Sequence, residues 1–109
     1  MASEVFGVSH TAGVTNSESV LINGVSGHTY VILSIMICET AGAAETFDLY
    51  VDDGGGGTDY EIYSDQALAA NATFEHTSKL VIVDEDHLCA ATASSANVDI
   101  VVSYLDITR

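Results

Sequence analysis

The segment Tyr30-Val-Ile-Leu-Ser-Ile-Met-Ile-Cys38 constrains the fold of this chain more than any other feature. Its nine residues are rich in β-branched side chains and apolar on both faces. Such a run predicts a central strand covered on both sides. Similar but shorter runs recur at roughly 8–12-residue intervals with turn residues between them, the pattern of a β-sandwich, jelly roll or small barrel. Proline is absent, so edge strands must be protected by charge, by bulges or by a neighbouring subunit.

The run Glu45–Val51 alternates, with Phe47, Leu49 and Val51 pointing inward and Thr46, Asp48 and Tyr50 outward, as in an antiparallel strand with one solvated face. The short link 39–44, which carries Gly42, predicts a hairpin between this strand and the one before it. Four glycines between Asp53 and Thr58 supply no side chains to pack and predict a mobile surface turn. Strands are expected over 60–64, 72–76, 79–83 and 87–92, and residues 66–70 read as a polar loop or a single helical turn. The closing run Val98–Ile107 places Val98, Ile100, Val102 and Tyr104 on one face. Its other face mixes Val101, Leu105 and Ile107 with Asp99 and Ser103. With short strands at 5–8 and 19–22, the expectation is an all-β, antiparallel β-sandwich of the jelly-roll type. It has about eight short strands in a single domain, 1–109. Residues 1–18 fit either a first edge strand or an extended N-terminal arm.

Composition narrows the possible partners. Sixteen carboxylates face only Lys79 and Arg109, for a net charge of −14. A surface of that sign repels nucleic acid and anionic membranes, both of which are bound through clustered basic residues. Hydrophobic residues make up 48% of the chain, and mean hydropathy is +0.30. That is more apolar material than one small core absorbs, and the excess points to subunit contacts. The longest apolar run is far short of the ~20 residues of a membrane helix. The N-terminus lacks the basic and apolar regions of a signal peptide, so synthesis in the cytosol is expected. Cys38 and Cys89 each sit in an apolar run, where a buried free thiol is the expected state; a disulfide is the alternative in an oxidising compartment.

No catalytic constellation emerges. Asp52, Asp53 and Asp59 flank the glycine turn and could offer oxygen ligands to Ca²⁺, but their spacing does not fit an EF-hand, and a solvated turn is the simpler reading. Asp84, Glu85 and Asp86 read as a second solvated acidic turn. His10, His28, His76 and His87 lack metal-ligand spacing. Ser9-His10 and Ser26-Gly-His28 lie on no nucleophile turn. The glycine run has no following Lys-Ser/Thr and is flanked by carboxylates, so it is no phosphate loop. Outward tyrosines, Tyr50 and Tyr63 among them, could stack on sugars, though without tryptophan the platform is a poor one. The expectation is no enzyme, no metal, no cofactor and no small-molecule substrate.

From Tyr30 to Ile107 the order of features resembles small virion structural proteins of tailed bacteriophages, the capsid decoration (cement) subunit most closely. The resemblance is carried by Ile37-Cys-Glu-Thr40, by Phe47-Asp-Leu-Tyr-Val51 followed by the Gly/Asp loop, by Lys79–Ser94, and by Asn97–Thr108. Glu85 departs from the pattern, which has glycine there. The resemblance implies a β-sandwich or β-tulip subunit, a homotrimer seated on the major capsid protein at the outer surface of the virion. Related patterns occur in tail and head–tail proteins, and an acidic, Ca²⁺-assisted carbohydrate-binding jelly roll is an alternative of another class. Like-charged subunits repel, by about 1 kcal/mol per charge pair at 4 Å in water, so association has to rest on apolar contact. The candidate residues are Val5, Phe6 and Val8 near the N-terminus and Val101, Leu105 and Ile107 on the closing strand.

Overall fold

A computed structural model describes residues 3–54 and 57–109. The β-branched runs become strands: β1 (Ser3–Val14), β2 (Ser19–Asn23), β3 (His28–Glu39), β4 (Glu45–Asp52), β5 (Asp59–Leu68), β6 (Thr73–His76), β7 (Leu80–Val83), β8 (His87–Thr92) and β9 (Val98–Thr108). They form two sheets in which every ladder is antiparallel. Sheet A has the order β1-β9-β3, with β6 and β7 both paired to β3; sheet B has the order β2-β8-β4-β5. β7 pairs with Thr29–Ile32 and β6 with Ile35–Cys38, so together they act as one broken strand along β3. Counted that way, the connectivity is that of a jelly roll, eight strands crossing repeatedly between two sheets. The chain is an all-β antiparallel sandwich.

Two connections differ from expectation, and an open alternative at the N-terminus closes. The β3–β4 connection is no hairpin, because β3 belongs to sheet A and β4 to sheet B. A short link with glycine can turn a corner between layers as readily as within one, and here the Glu39 carboxylate shapes the corner. Its two oxygens accept from the backbone N–H groups of Ala41, Gly42, Ala43 and Asn71 at 2.8–3.2 Å. Those bonds hold the Glu39 carboxyl below its usual range, although burial opposes them. Residues 66–68 continue β5 instead of forming a loop, with Asp65 at φ 50° and Leu68 buried. At the other end, Ser3–Thr11 pair residue by residue with β9, so this segment is an edge strand and no detached arm. Gly55 and Gly56 of the expected mobile turn lie outside the described residues.

The core lies between the sheets. Ile32, Ile35 and Ile37 of β3 and Ile100 and Val102 of β9 pack from sheet A, and Phe47, Leu49 and Leu88 pack from sheet B. Each such aliphatic side chain contributes roughly 1.5–3 kcal/mol when fully buried. At one end, Phe47, Tyr63 and Phe74 form an edge-to-face cluster with ring centroids 4.9–6.1 Å apart, and Tyr63 Oη lies 2.8 Å from His76 Nδ1. The cluster joins β5 of sheet B to β6 of sheet A. Tyr63 therefore points inward, contrary to expectation, since a bulge in the β4–β5 register resets its face.

Candidate assembly interface

Residues opposite one another in a ladder share a face, so the registers define the outer surface of sheet A. Phe6 pairs with Leu105, Leu105 with Val31, and Val31 with Val81. These four apolar side chains form one row across four strands, perpendicular to the chain direction. Ile107, Thr29 and Val83 form a second row beside it, and His10, Val101, Met36 and Glu75 a third. Exposure is high for an aliphatic surface: Phe6 is 76% exposed, Val81 53%, Leu33 44% and Met36 43%. Carboxylates on this face, Glu4, Glu75 and Asp99, lie around the rows. Ser103 and Ser34 separate the first two rows from the third, and exposed apolar surface of this kind is typical of interaction sites in soluble proteins.

Of the six candidate residues, the structure brings five together. Phe6, Val8, Val101, Leu105 and Ile107 all lie on the outer face of sheet A. Val5 does not join them: it pairs with Asp106 and projects to the other side of β1, as one step along a strand requires. Sequence reasoning missed Val31, Leu33, Met36 and Val81. The signal was present in the two-sided apolar character of residues 30–38. That pattern predicts cover on both faces, and the chain itself supplies cover on one only.

The outer face of sheet B has the opposite character. Asp48, Tyr50 and Asp52 of β4, His87 and Cys89 of β8, and Asp59 and Glu61 of β5 share it. Tyr50 and Cys89 are nevertheless buried. Burial pushes the Tyr50 hydroxyl far up, helped by Glu18, which also bonds to it. Burial and a hydrogen bond to Glu18 push the Cys89 thiol up to about 12, so it is no reactive thiolate. Loss of hydration and the surrounding carboxylates also raise Asp59 and Glu61. Cys38 and Cys89 are free and lie on opposite outer faces of the sandwich, a layout that excludes a bond between them.

The remaining candidates have local roles. Asp53 Oδ1 accepts from the Thr58 amide at 2.9 Å and closes the glycine turn. Asp84 is not simply solvated: Oδ1 accepts from the Gly27 amide at 2.9 Å and pairs with Arg109. That turn packs so tightly on Gly24 that a Cβ there would lie 2.1 Å from the Asp86 carbonyl oxygen. His28 Nδ1 lies 2.8 Å from Asp106 Oδ1, and His10 and His87 lie on the outer faces of different sheets. Among the described residues no three metal-ligating side chains converge. With Tyr50 buried and Tyr63 turned inward, these two tyrosines offer no outward platform for a sugar.

No protein-family model and no curated protein matches the sequence. Similarity appears at the level of the fold. A chain of the disulfide-linked pili of Bacillus endospore appendages matches with a TM-score of 0.57 at 9% identity, covering 98% of this chain and 88% of that one. A chain in the acidic stable capsid structure of Helicobacter pylori bacteriophage KHP30 matches at 0.56 and 14% identity, covering 98% and 93%. The infectious bursal disease virus Gx strain gives 0.57 at 10% identity, with 98% of this chain spanning 32% of the viral one. At such identities the likeness establishes the sandwich fold.

Proposed function

We propose that this chain is a non-enzymatic virion structural protein of the capsid-decoration type. In this reading it is made in the host cytoplasm and forms a homotrimer that seats on the major capsid protein at the outer surface of the shell. It braces the lattice by burying the apolar outer face of sheet A. The observation that carries the reading is the Phe6–Leu105–Val31–Val81 row, a core-like surface that the chain leaves uncovered. Charge distribution supports it: association through sheet A keeps the carboxylates of sheet B in water, where they neither meet one another across a contact nor attract nucleic acid. A small jelly roll with a TM-score of 0.56 to a phage capsid chain over nearly its whole length fits the same role.

The test is the position of the chain in a purified particle. The expected result is density on the outer shell surface with sheet A facing the shell, and a trimer by light scattering in isolation. A monomer at micromolar concentration, or a place inside the shell, overturns the decoration role. Density in the tail would instead favour a tail or head–tail role, for which the likeness to a pilus subunit is the supporting observation.

A further inference from the structure

The four sheet edges differ in how they are protected against pairing with another chain. β5 carries Asp59, Glu61 and Asp65, and its pairing with β4 is broken by register shifts. β2 has five residues and a shift between Val20 and Ile22, while β6 and β7 have four residues each. Charge, bulges and short length are the usual devices that blunt an edge. β1 is the least protected, its one register shift falling beyond Thr11. It runs in unbroken register with β9 from Ser3 to Thr11, holds one carboxylate over that stretch, and exposes Val5, Phe6 and Val8. Among the described residues no strand pairs with its other side.

We infer that the free edge of β1 pairs antiparallel with β1 of a second copy about a twofold axis at Gly7, setting Glu4 opposite His10 and Phe6 opposite Val8. In an antiparallel pair around Gly7, residues whose numbers sum to the same value face each other, and opposed residues share a face. Centring on Gly7 places the acid against the imidazole and the phenyl ring against the isopropyl group, each twice by symmetry, with Val5 opposite Ser9 on the reverse side. A one-residue slip, which moves the axis to a point between two residues, would put β1 side chains on the wrong face of the partner sheet. Centring on Phe6 or on Val8 would place Phe6 on Phe6 with Glu4 on Val8, or Val8 on Val8 with Phe6 on His10, and would lose the pairing of carboxylate with imidazole. Gly7 suits the centre, because its inner side is filled by the Tyr104 ring, which a Cβ would meet at 2.6 Å. The joined sheet would carry the apolar rows of both copies as one continuous surface.

This pairing stands on the edge itself and not on the virion role. It is also compatible with a trimer, since threefold clusters linked by twofold contacts tile a closed shell or a layer. Register-specific cross-linking tests it. Phe6→Cys and Val8→Cys are made separately in a Cys38→Ser background, and each is oxidised alone and in an equimolar mixture at millimolar concentration. The expected result is a disulfide-linked dimer in the mixture at several times the yield of either variant alone. Stronger self-linking of Phe6→Cys or of Val8→Cys points to another register, and no cross-link in any sample means no β1 pairing; either overturns the inference. A charge swap supplies a second readout without new cysteines. Glu4→Arg is expected to weaken association roughly fivefold, and adding His10→Glu is expected to restore it. Loss without restoration overturns the Glu4–His10 register. A missing cross-link in a chain still found on the capsid surface sinks this pairing alone, whereas a cross-linked dimer absent from particles sinks the virion role alone.

Discussion

The outer faces of the two sheets are built from strands of similar composition, yet they solve opposite problems. On sheet A the register lines up Phe6, Leu105, Val31 and Val81, with Phe6 and Val81 exposed and Leu105 and Val31 half-buried. On sheet B, Tyr50 and Cys89 are covered by their own chain, with Glu18 bonded to both, while Asp48, Asp59 and Glu61 keep the surroundings acidic. The first face leaves apolar side chains partly exposed, and the second buries its tyrosine and thiol within the chain. A strongly acidic subunit can therefore self-associate without bringing its charges together, because the sandwich separates the sticky layer from the charged one.

Several measurements would break or sharpen that contrast. The largest effect on folding is expected at Ile35→Ala, beside Met36 on β3. Ile35 is fully buried, so its loss should cost about 2–5 kcal/mol and lower Tm by more than roughly 10 °C in thermal denaturation. Met36→Ala should move Tm of the isolated chain by no more than ~2 °C, because that side chain is exposed. If the two melt alike, the outer face of sheet A is not free. Next is Leu105→Asp, which sets a carboxylate in the middle of the apolar row. It should leave a folded chain by circular dichroism but weaken association about a hundredfold in sedimentation, whereas Glu61→Gln on sheet B should leave association unchanged.

Acidification should distinguish Asp59 and Glu61 from Glu39 and Glu45. Asp59 and Glu61 are raised above their ordinary values of 3.8 and 4.5, so the folded state holds their protons more tightly than the unfolded chain. Stability should then rise as pH falls from neutral through their folded-state values. Glu39 and Glu45 are lowered, the first by the backbone amides it accepts from and the second by Ser94 and Thr46. Their contribution is present above the ordinary carboxylate range and is lost as pH falls through their folded values, so stability should turn down again below about pH 4. A melting series across pH should show this maximum on the acid side, and Glu61→Gln should flatten the rise. The smallest effect is chemical: in the native chain a thiol reagent should modify the partly exposed Cys38 and spare Cys89, whose thiol is pushed up to about 12. Equal reactivity would mean that the cover over sheet B opens readily.

How much of this was legible in the sequence differs by element. The alternation over residues 98–107 assigned both faces of β9 correctly, because a period of two leaves little choice once one face is apolar. The two-sided run at 30–38 predicted a strand covered on both faces, whereas Leu33 and Met36 stand exposed on one of them. Glu39 gave no local sign of its role, since four amides from two loops meet its carboxylate only after the corner has formed. Tyr63 was misassigned because a bulge shifts the pleat, and nothing in Tyr60-Glu-Ile-Tyr-Ser64 marks a bulge.

By itself the sequence determined the fold class and the sign of the surface charge, because periodicity and composition are properties of neighbours along the chain. Only the tertiary structure decided which strands share a sheet, which apolar residues fall into register as one row, and that β1 is the unprotected edge. Those are relations between residues as far apart as Ser3 and Thr108, and the ladder hydrogen bonds that set them form only when the sandwich closes.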